Sequence, residues 1–180
     1  RVHKALVDSL GVKKLVAAAF TALTVLFFYP VLPKFGSAIV GPAGDNMRSV
    51  WELWSGARAI TGPAPGLLPP ADRYYGAAVT AALGPWIGLT ASYNFLVLSS
   101  FVFAGWAAYA LLTELTRDRF ASFCGAFVYA FNPVHIAHAL RQPAAATVQF
   151  WPLFWLLLVR AYRRDRKRGW TGTAVTLVLS

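Results

Sequence analysis

Long stretches without charge dominate the pattern of hydrophobic and polar positions along the chain. Four intervals of about 20 residues or more contain no Asp, Glu, Lys or Arg: 15–33, 74–113, 120–140 and 142–159. A helix of about 20 apolar residues crosses the hydrocarbon core of a bilayer, which is about 30 Å thick, so intervals of this length are typical of membrane spans. The pattern therefore predicts an all-α protein, a polytopic transmembrane helical bundle.

The predicted spans cover about 15–32, 95–115, 120–132 and 147–160, and a further span begins at about 170. One helix cannot account for the interval 74–113, since forty residues at 1.5 Å each would measure about 60 Å. Gly84-Pro85 and Ser92-Tyr93-Asn94 divide this interval, and we expect an interfacial or re-entrant helix from Ala77 to Leu89. Because position 1 is not Met and the chain ends in an apolar stretch, we interpret residues 1–180 as the N-terminal part of a larger multispan domain.

The loop between the first two spans, about 36–91, contains one clear helical pattern. After the turn at Gly41-Pro42, apolar side chains recur at three- and four-residue spacing: Met47, Val50, Trp51, Trp54 and Ala57. This periodicity predicts an amphipathic helix that has Asp45 as its N-cap and ends at Gly62-Pro63. Its two tryptophans suit the headgroup boundary, where an indole ring is half buried and half hydrated.

Composition narrows the class of protein further. Apolar residues make up 57% of the chain and charged residues 13%, against about 45–50% and about 25% in soluble domains. These values exclude a soluble enzyme and a disordered tail, and the single cysteine excludes a disulfide-stapled secreted domain. Because its neighbours are apolar, we expect Cys124 to be buried.

The net charge of +10 lies mainly at the ends of the apolar stretches. The densest basic cluster runs from Arg160 to Arg168, and more basic residues occur in residues 1–14, which predict a short amphipathic helix on the membrane surface. Short loops rich in Lys and Arg stay on the cytoplasmic side. We therefore expect a multi-pass plasma-membrane protein with a cytoplasmic N-terminus and an outer 36–91 loop, with membrane lipid and not nucleic acid as its partner.

Asp45 is the leading candidate for chemistry, because only three acidic residues lie in the predicted outer loops: Asp45, Glu52 and Asp72. A carboxylate held at a partly desolvated boundary can accept a proton from a hydroxyl group and so act as a general base. The alternative is that Asp45 only caps its helix, accepting hydrogen bonds from the free N–H groups of the first turn. The two roles are compatible, since one carboxylate oxygen can cap while the other reacts.

A set of short motifs directly follows the first predicted span: Gly44-Asp45-Asn46, Trp51-Glu52-Leu53-Trp54, Gly56 and Thr61-Gly62-Pro63. Further motifs occur later: 94–108, Ala130-Phe131-Asn132-Pro133 and Trp151-Pro152-Leu153. The first set resembles the first outer loop of GT-C-type membrane glycosyltransferases, and the later motifs are similar to related bacterial multispan proteins. The resemblance implies a GT-C-type bundle that transfers a sugar from a polyprenyl-phosphate donor to a glycan or lipid acceptor on the outer face.

The resemblance assigns the catalytic role to Asp45. This residue would deprotonate an acceptor hydroxyl as its oxygen attacks the anomeric carbon of the sugar, and the lipid phosphate would leave. Many members of the group have two adjacent acids where this chain has Asp45-Asn46, so only one carboxylate carries over. The sequence assigns no metal ligand, and a divalent metal is compatible with the reaction.

The leaving lipid phosphate requires cations, and guanidinium groups match phosphate through paired hydrogen bonds. Arg73 and Arg141 are the preferred candidates for substrate binding, because each adjoins the end of a predicted span, and Arg48 is a further candidate in the outer loop. For Arg58 we favour a snorkelling side chain or one that binds a lipid headgroup.

His135, His138 and Tyr74 are further candidates for contact with the substrate. The two histidines are one helical turn apart, but a tetrahedral metal site requires three or four protein ligands, and interfacial hydrogen bonding is the preferred interpretation. The ring of Tyr74 can stack on a sugar or belong to the aromatic belt of the membrane.

Two other functions remain open at this stage. The chain can belong to a transporter or flippase for lipid-linked intermediates, or to a non-catalytic multispan assembly subunit. Transporters commonly place ionisable groups within their spans, and none of the predicted spans has a charged residue near its middle. This difference favours the glycosyltransferase.

Overall fold

The computed structural model describes residues 2–42, 44–62, 74–141 and 148–163, with side chains from residue 11 onward. This part of the chain is built from helices and contains no strand, which confirms the predicted all-α class. Its elements are α1 (Val2–Phe27), a 3₁₀ helix (Tyr29–Lys34), α2 (Asp45–Thr61), α3 (Tyr74–Thr116), α4 (Arg119–Ala130), α5 (Pro133–Arg141) and α6 (Phe150–Arg163). The span predicted from about 170 and the candidate Arg73 lie outside the described residues.

Two stretches of the described chain are long and apolar enough to cross a membrane, Tyr74–Thr116 and Arg119–Arg141. The second stretch consists of α4 and α5, which are separated at Asn132, the break expected from Asn132-Pro133. Pro133 begins α5, where its missing N–H group costs the helix no internal hydrogen bond. By length and composition, the fold is therefore compatible with insertion in a membrane.

Helix α1 joins two segments that the sequence pattern separates. A surface helix over residues 1–14 and a span from about 15 were expected, but one continuous helix runs from Val2 to Phe27. No proline interrupts this stretch, so the backbone hydrogen bonds continue from the charged positions into the apolar ones. The helix ends just before Pro30 and Pro33, which belong to the short 3₁₀ helix.

Helix α3 folds back on itself at Gly88, where φ is 81° and ψ is 166°. The ring of Phe150 at the start of α6 lies 5.2 Å from that of Tyr75, and Arg160 Nε lies 3.4 Å from Glu114 Oε2. Ten residues of α6 rise about 15 Å, whereas a straight helix from Tyr75 to Glu114 would span about 58 Å. The arm before Gly88 therefore lies beside the arm after it. This first arm begins at Tyr74, so its bounds are similar to those of the separate helix predicted at Ala77–Leu89.

The arm of α3 that follows Gly88 packs closely against α1 and α4. A Cβ atom at Gly105 would overlap the ring of Phe20 on α1, and one at Gly125 would lie 2.8 Å from Leu112 Cδ1. Small side chains let helices approach closely, which is how helices associate in lipid. We call this cluster the apolar seam; it contains Val16, Phe20, Ala104, Gly105, Ala108, Tyr109, Ala126 and Ala130.

Large apolar side chains cover much of the outer surface. Trp86 is 85% exposed and Phe120 is 80% exposed, an arrangement that a lipid-facing exterior accommodates. Cys124 is also exposed, so its predicted burial is wrong. Helix α4 packs inward through Ser122 and Ala126, and Cys124 lies on the opposite side of the helix.

Candidate functional site

Helix α2 turns its small and polar residues inward and its aromatic residues outward. Asn46, Ser49, Gly56 and Ala57 are buried, mainly against α3, while Met47, Trp51 and Trp54 are exposed. A helix on a water-facing surface places its apolar side toward the protein core. The reversed orientation of α2 instead suits a helix whose outer face meets the headgroup boundary.

Asp45 is the first residue of α2 and is exposed. Gly44, with φ of 140°, occupies the N-cap position, so the expectation that Asp45 itself is the N-cap is wrong by one residue. A carboxylate in the first turn faces the free N–H groups and the positive end of the helix dipole, which stabilises negative charge there. The carboxylate of Asp45 is thus placed on the surface at an electropositive helix end.

The next residue, Asn46, is completely buried and connects α2 to two other segments. Its Nδ2 donates to the carbonyl oxygens of Val40 at 3.1 Å, Pro42 at 3.0 Å and Leu140 at 2.7 Å. The three carbonyls fix the orientation of the amide, since an oxygen in the same place would be repelled by all of them. Asn46 therefore anchors the start of α2 to the preceding loop and to the end of α5.

A second buried asparagine, Asn94 on α3, holds the same loop from the other side. Its Nδ2 donates to the carbonyl oxygens of Phe35 and Ala38, both at 2.7 Å, and its Oδ1 accepts from the N–H of Val40 at 2.9 Å. Buried backbone groups outside regular structure require such partners. We call residues 35–42 and 44–46 the braced loop.

Gly41 permits the close approach of the braced loop to α5. Its φ of 93° lies in the region that favours glycine, and a Cβ atom there would overlap the carbonyl oxygen of Leu140. The glycine of the predicted Gly41-Pro42 turn thus has a second function beyond the turn itself, since it lets two backbones meet.

His135 fixes α5 against α3 and α4. The N–H of His135 donates to Asn132 Oδ1 at 2.8 Å, and its Nδ1 lies 2.7 Å from the carbonyl oxygen of Ala130. Because a carbonyl can only accept, Nδ1 carries the hydrogen. The Nε2 atom lies 3.1 Å from Ser100 Oγ, and the ring stacks on Phe101 at 4.1 Å. His135 is fully buried, so its ring is enclosed by the protein interior and has no surface open to a substrate in this structure.

The structure brings the start of α2, with Asp45, against the end of α5, with Arg141. Asn46 Nδ2 and the carbonyl oxygen of Leu140 are 2.7 Å apart, and Asp45 and Arg141 directly flank these two residues in sequence. His138 lies one turn before Arg141 on α5 and is half buried. A carboxylate, a guanidinium and an imidazole therefore belong to one region, formed by the start of α2 and the end of α5.

The two remaining described candidates lie on α2 and α3. Arg48 is one helical turn beyond Asp45, and its Nε is 2.9 Å from Glu52 Oε1, a further turn along α2. Tyr74 is the first residue of α3, two positions before Gly76, which faces Leu53 in the middle of α2. Arg48 is therefore a helical neighbour of Asp45, whereas Tyr74 begins a helix that meets α2 near its middle.

The described residues contain no group of three or more His, Cys, Asp or Glu side chains that could hold a metal ion.

The sequence analysis did not identify Asn94 as a residue that holds the braced loop, although one signal was available. An amide within forty uncharged positions must find hydrogen-bond partners when it is buried. Asn46 carried no comparable signal, because the motif presented it only as the position of a missing second acid.

Comparison with known proteins finds no matching family model, no matching curated protein and no matching solved structure. The resemblance to GT-C-type glycosyltransferases therefore rests on the motifs of the sequence alone.

Proposed function

We propose that this chain is part of a membrane glycosyltransferase that transfers a sugar from a polyprenyl-phosphate donor to a cell-envelope acceptor on the outer face of the plasma membrane. The observation that carries the proposal is the placement of Asp45. It is an exposed carboxylate on the first turn of α2, anchored through Asn46 beside the end of α5. Rigid placement matters, because a general base acts only within hydrogen-bonding distance of the proton it removes.

Asp45 takes the acceptor proton in the proposed reaction. The acceptor oxygen attacks the anomeric carbon and forms the new glycosidic bond, its proton passes to the carboxylate, and the bond from the anomeric carbon to the phosphate oxygen breaks. The electron pair of that bond leaves with the polyprenyl phosphate. The guanidinium of Arg141 stabilises the departing phosphate by paired hydrogen bonds. His138, one turn earlier on the same helix, makes a second contact with the substrate.

The buried face of α2 supports a single-carboxylate mechanism. The position after Asp45 must donate hydrogen bonds to three carbonyl oxygens, which an ionised carboxylate cannot do. The need for a hydrogen-bond donor at this position gives a structural reason why this chain has asparagine where many GT-C-type glycosyltransferases have a second acid.

Transfer from a labelled polyprenyl-phosphate sugar, measured with the protein in liposomes that contain a membrane-lipid acceptor extract, tests the proposal. Asp45→Asn should lower the rate by about 10²–10⁴-fold, the usual contribution of a general base. Glu52→Gln, which removes a carboxylate two turns further along the same helix, should retain most of the activity. Circular dichroism and size-exclusion chromatography check that both variants fold.

The same preparation separates the competing functions. Full activity in Asp45→Asn contradicts the mechanism. Movement of the labelled donor across the vesicle membrane without a glycosidic product identifies a flippase, and neither product nor movement identifies an assembly subunit.

Membrane orientation is tested separately with a cysteine at position 45. In a Cys124→Ser background, Asp45→Cys should react with a membrane-impermeant maleimide in intact cells. Labelling only after the cells are opened would place Asp45 in the cytoplasm and contradict the proposed location.

A further inference from the structure

A cleft lies between the second half of α2 and the first arm of α3, away from Asp45. Its volume is about 240 Å³, and its lining is mostly apolar, with Trp54 and Arg58 from α2 and Thr80, Ala81, Gly84, Pro85 and Leu89 from α3 among its residues. Ligand pockets for drug-sized molecules usually measure about 300–1,000 Å³. The cleft is therefore suited to one narrow chain and not to a bulky ligand.

Arg58 gives the cleft a positive rim. Its guanidinium carbon lies 5.1 Å above the centre of the Trp54 ring, and no carboxylate lies within ion-pair distance of it in the described part of the chain. Arg48, on the same helix, is instead paired with Glu52. Arg58 thus presents a cation whose charge is available to an anion, held in place by an aromatic face.

Most of the remaining lining is apolar. Thr80 is 4% exposed, and its hydroxyl oxygen is buried. The cleft therefore combines a cation at its rim with an apolar path past Gly84 and Leu89.

We propose that this cleft binds an anionic phospholipid. The phosphate of the headgroup meets Arg58, and one acyl chain lies along the first arm of α3. The outward-facing Trp51 and Trp86 and the exposed Ile60 surround this side of the molecule with side chains suited to the headgroup boundary. The proposal depends on the membrane location that belongs to the proposed function.

The lipid site is separate from the proposed catalytic region. Arg58 lies thirteen residues beyond Asp45 on α2, which corresponds to about 20 Å along the helix. Each site can thus be removed without altering the residues of the other.

Competitive lipid retention tests the proposal. The protein is reconstituted in nanodiscs of equal phosphatidylglycerol and phosphatidylcholine, and native mass spectrometry measures which lipid stays bound. We expect about a fivefold preference for phosphatidylglycerol, the equivalent of about 1 kcal/mol for one basic residue near the membrane surface. Arg58→Gln should abolish this preference, and the matched control Arg48→Gln should keep it.

Three results would overturn the lipid site: equal retention of both headgroups by the wild-type protein, an unchanged preference in Arg58→Gln, or an equal loss in Arg48→Gln. The last result would indicate diffuse attraction by the whole basic surface. Asp45→Asn should keep the lipid preference, so a failure of sugar transfer and a failure of lipid binding can be told apart.

Discussion

The apolar seam and the braced loop are both buried, but different forces hold them together. In the seam, glycine and alanine let the backbones of α1, α3 and α4 approach until the ring of Phe20 fills the space over Gly105. In the braced loop, the amides of Asn46 and Asn94 donate to five backbone carbonyls, and Asn94 Oδ1 accepts from a sixth backbone group, the N–H of Val40.

The difference follows from the backbone. The helices of the seam satisfy their own N–H and C=O groups, so that shape alone decides how closely they pack. The braced loop has no regular ladder of its own, and its carbonyls require donors from elsewhere. A change of shape should therefore disturb the seam, whereas a loss of donors at constant shape should disturb the loop.

Asn46→Asp should have the largest effect. The substitution keeps the shape of the side chain but turns an oxygen toward the carbonyls of Val40, Pro42 and Leu140. An uncompensated charge buried in this way costs about 3–5 kcal/mol. Thermal unfolding in mild detergent measures the loss, and Asp45→Asn, one residue earlier and exposed, should change stability by no more than about 1 kcal/mol, the usual effect of a carboxylate at a helix N-terminus.

Hydrogen exchange shows whether the effect of Asn46→Asp is local. Amides of α5 should exchange faster in the variant while those of α1 stay protected, because Asn46 contacts α5 directly. Unchanged stability in Asn46→Asp would show that the amide donor is not what holds the braced loop.

Gly105→Ala should have the next largest effect, through shape alone. The added methyl group overlaps the ring of Phe20, and overpacking of this kind costs about 1–3 kcal/mol. Phe20→Leu in the same chain should recover part of the loss, which a double-mutant cycle measures as coupling between the two positions.

Gly11→Ala on α1 is the matched control for Gly105→Ala. A Cβ atom at Gly11 meets nothing within 4 Å, so the better helix propensity of alanine should raise stability by about 0.5–1 kcal/mol. Equal losses at the two glycines would contradict close packing as the reason for Gly105.

Glu114→Gln should have the smallest effect. Arg160 Nε lies 3.4 Å from Glu114 Oε2; the arginine side chain is 39% exposed and the glutamate side chain 14%. Because the arginine end of this pair is open to solvent, we expect a contribution of about 1 kcal/mol that weakens in salt. Unfolding at low and high ionic strength checks this expectation, and a loss as large as that of Asn46→Asp would show that the ion pair anchors α6.

The sequence predicted the structure best where a local property, such as helical periodicity or a proline, determines the secondary structure. The helix predicted in the loop after the first span is present at Asp45–Thr61, and the break at Asn132-Pro133 separates α4 from α5. The 74–113 interval is divided as expected, but at Gly88, between the two predicted division points Gly84-Pro85 and Ser92-Tyr93-Asn94, which are both helical. Proline at position 85 is tolerated within the helix, whereas only the positive φ of Gly88 lets the two arms fold back.

The sequence by itself determined the helical class, the long apolar stretches and the presence of Asp45 on a loop helix, because periodicity and hydrophobicity are local properties of the chain. Only the tertiary structure decided that Asn46 anchors that helix, that the end of α5 lies against its start and that His135 is a core residue. These placements depend on contacts between residues up to 94 positions apart. Which distant carbonyl a buried amide meets is settled by how the helices pack, and no short segment of the sequence contains that information.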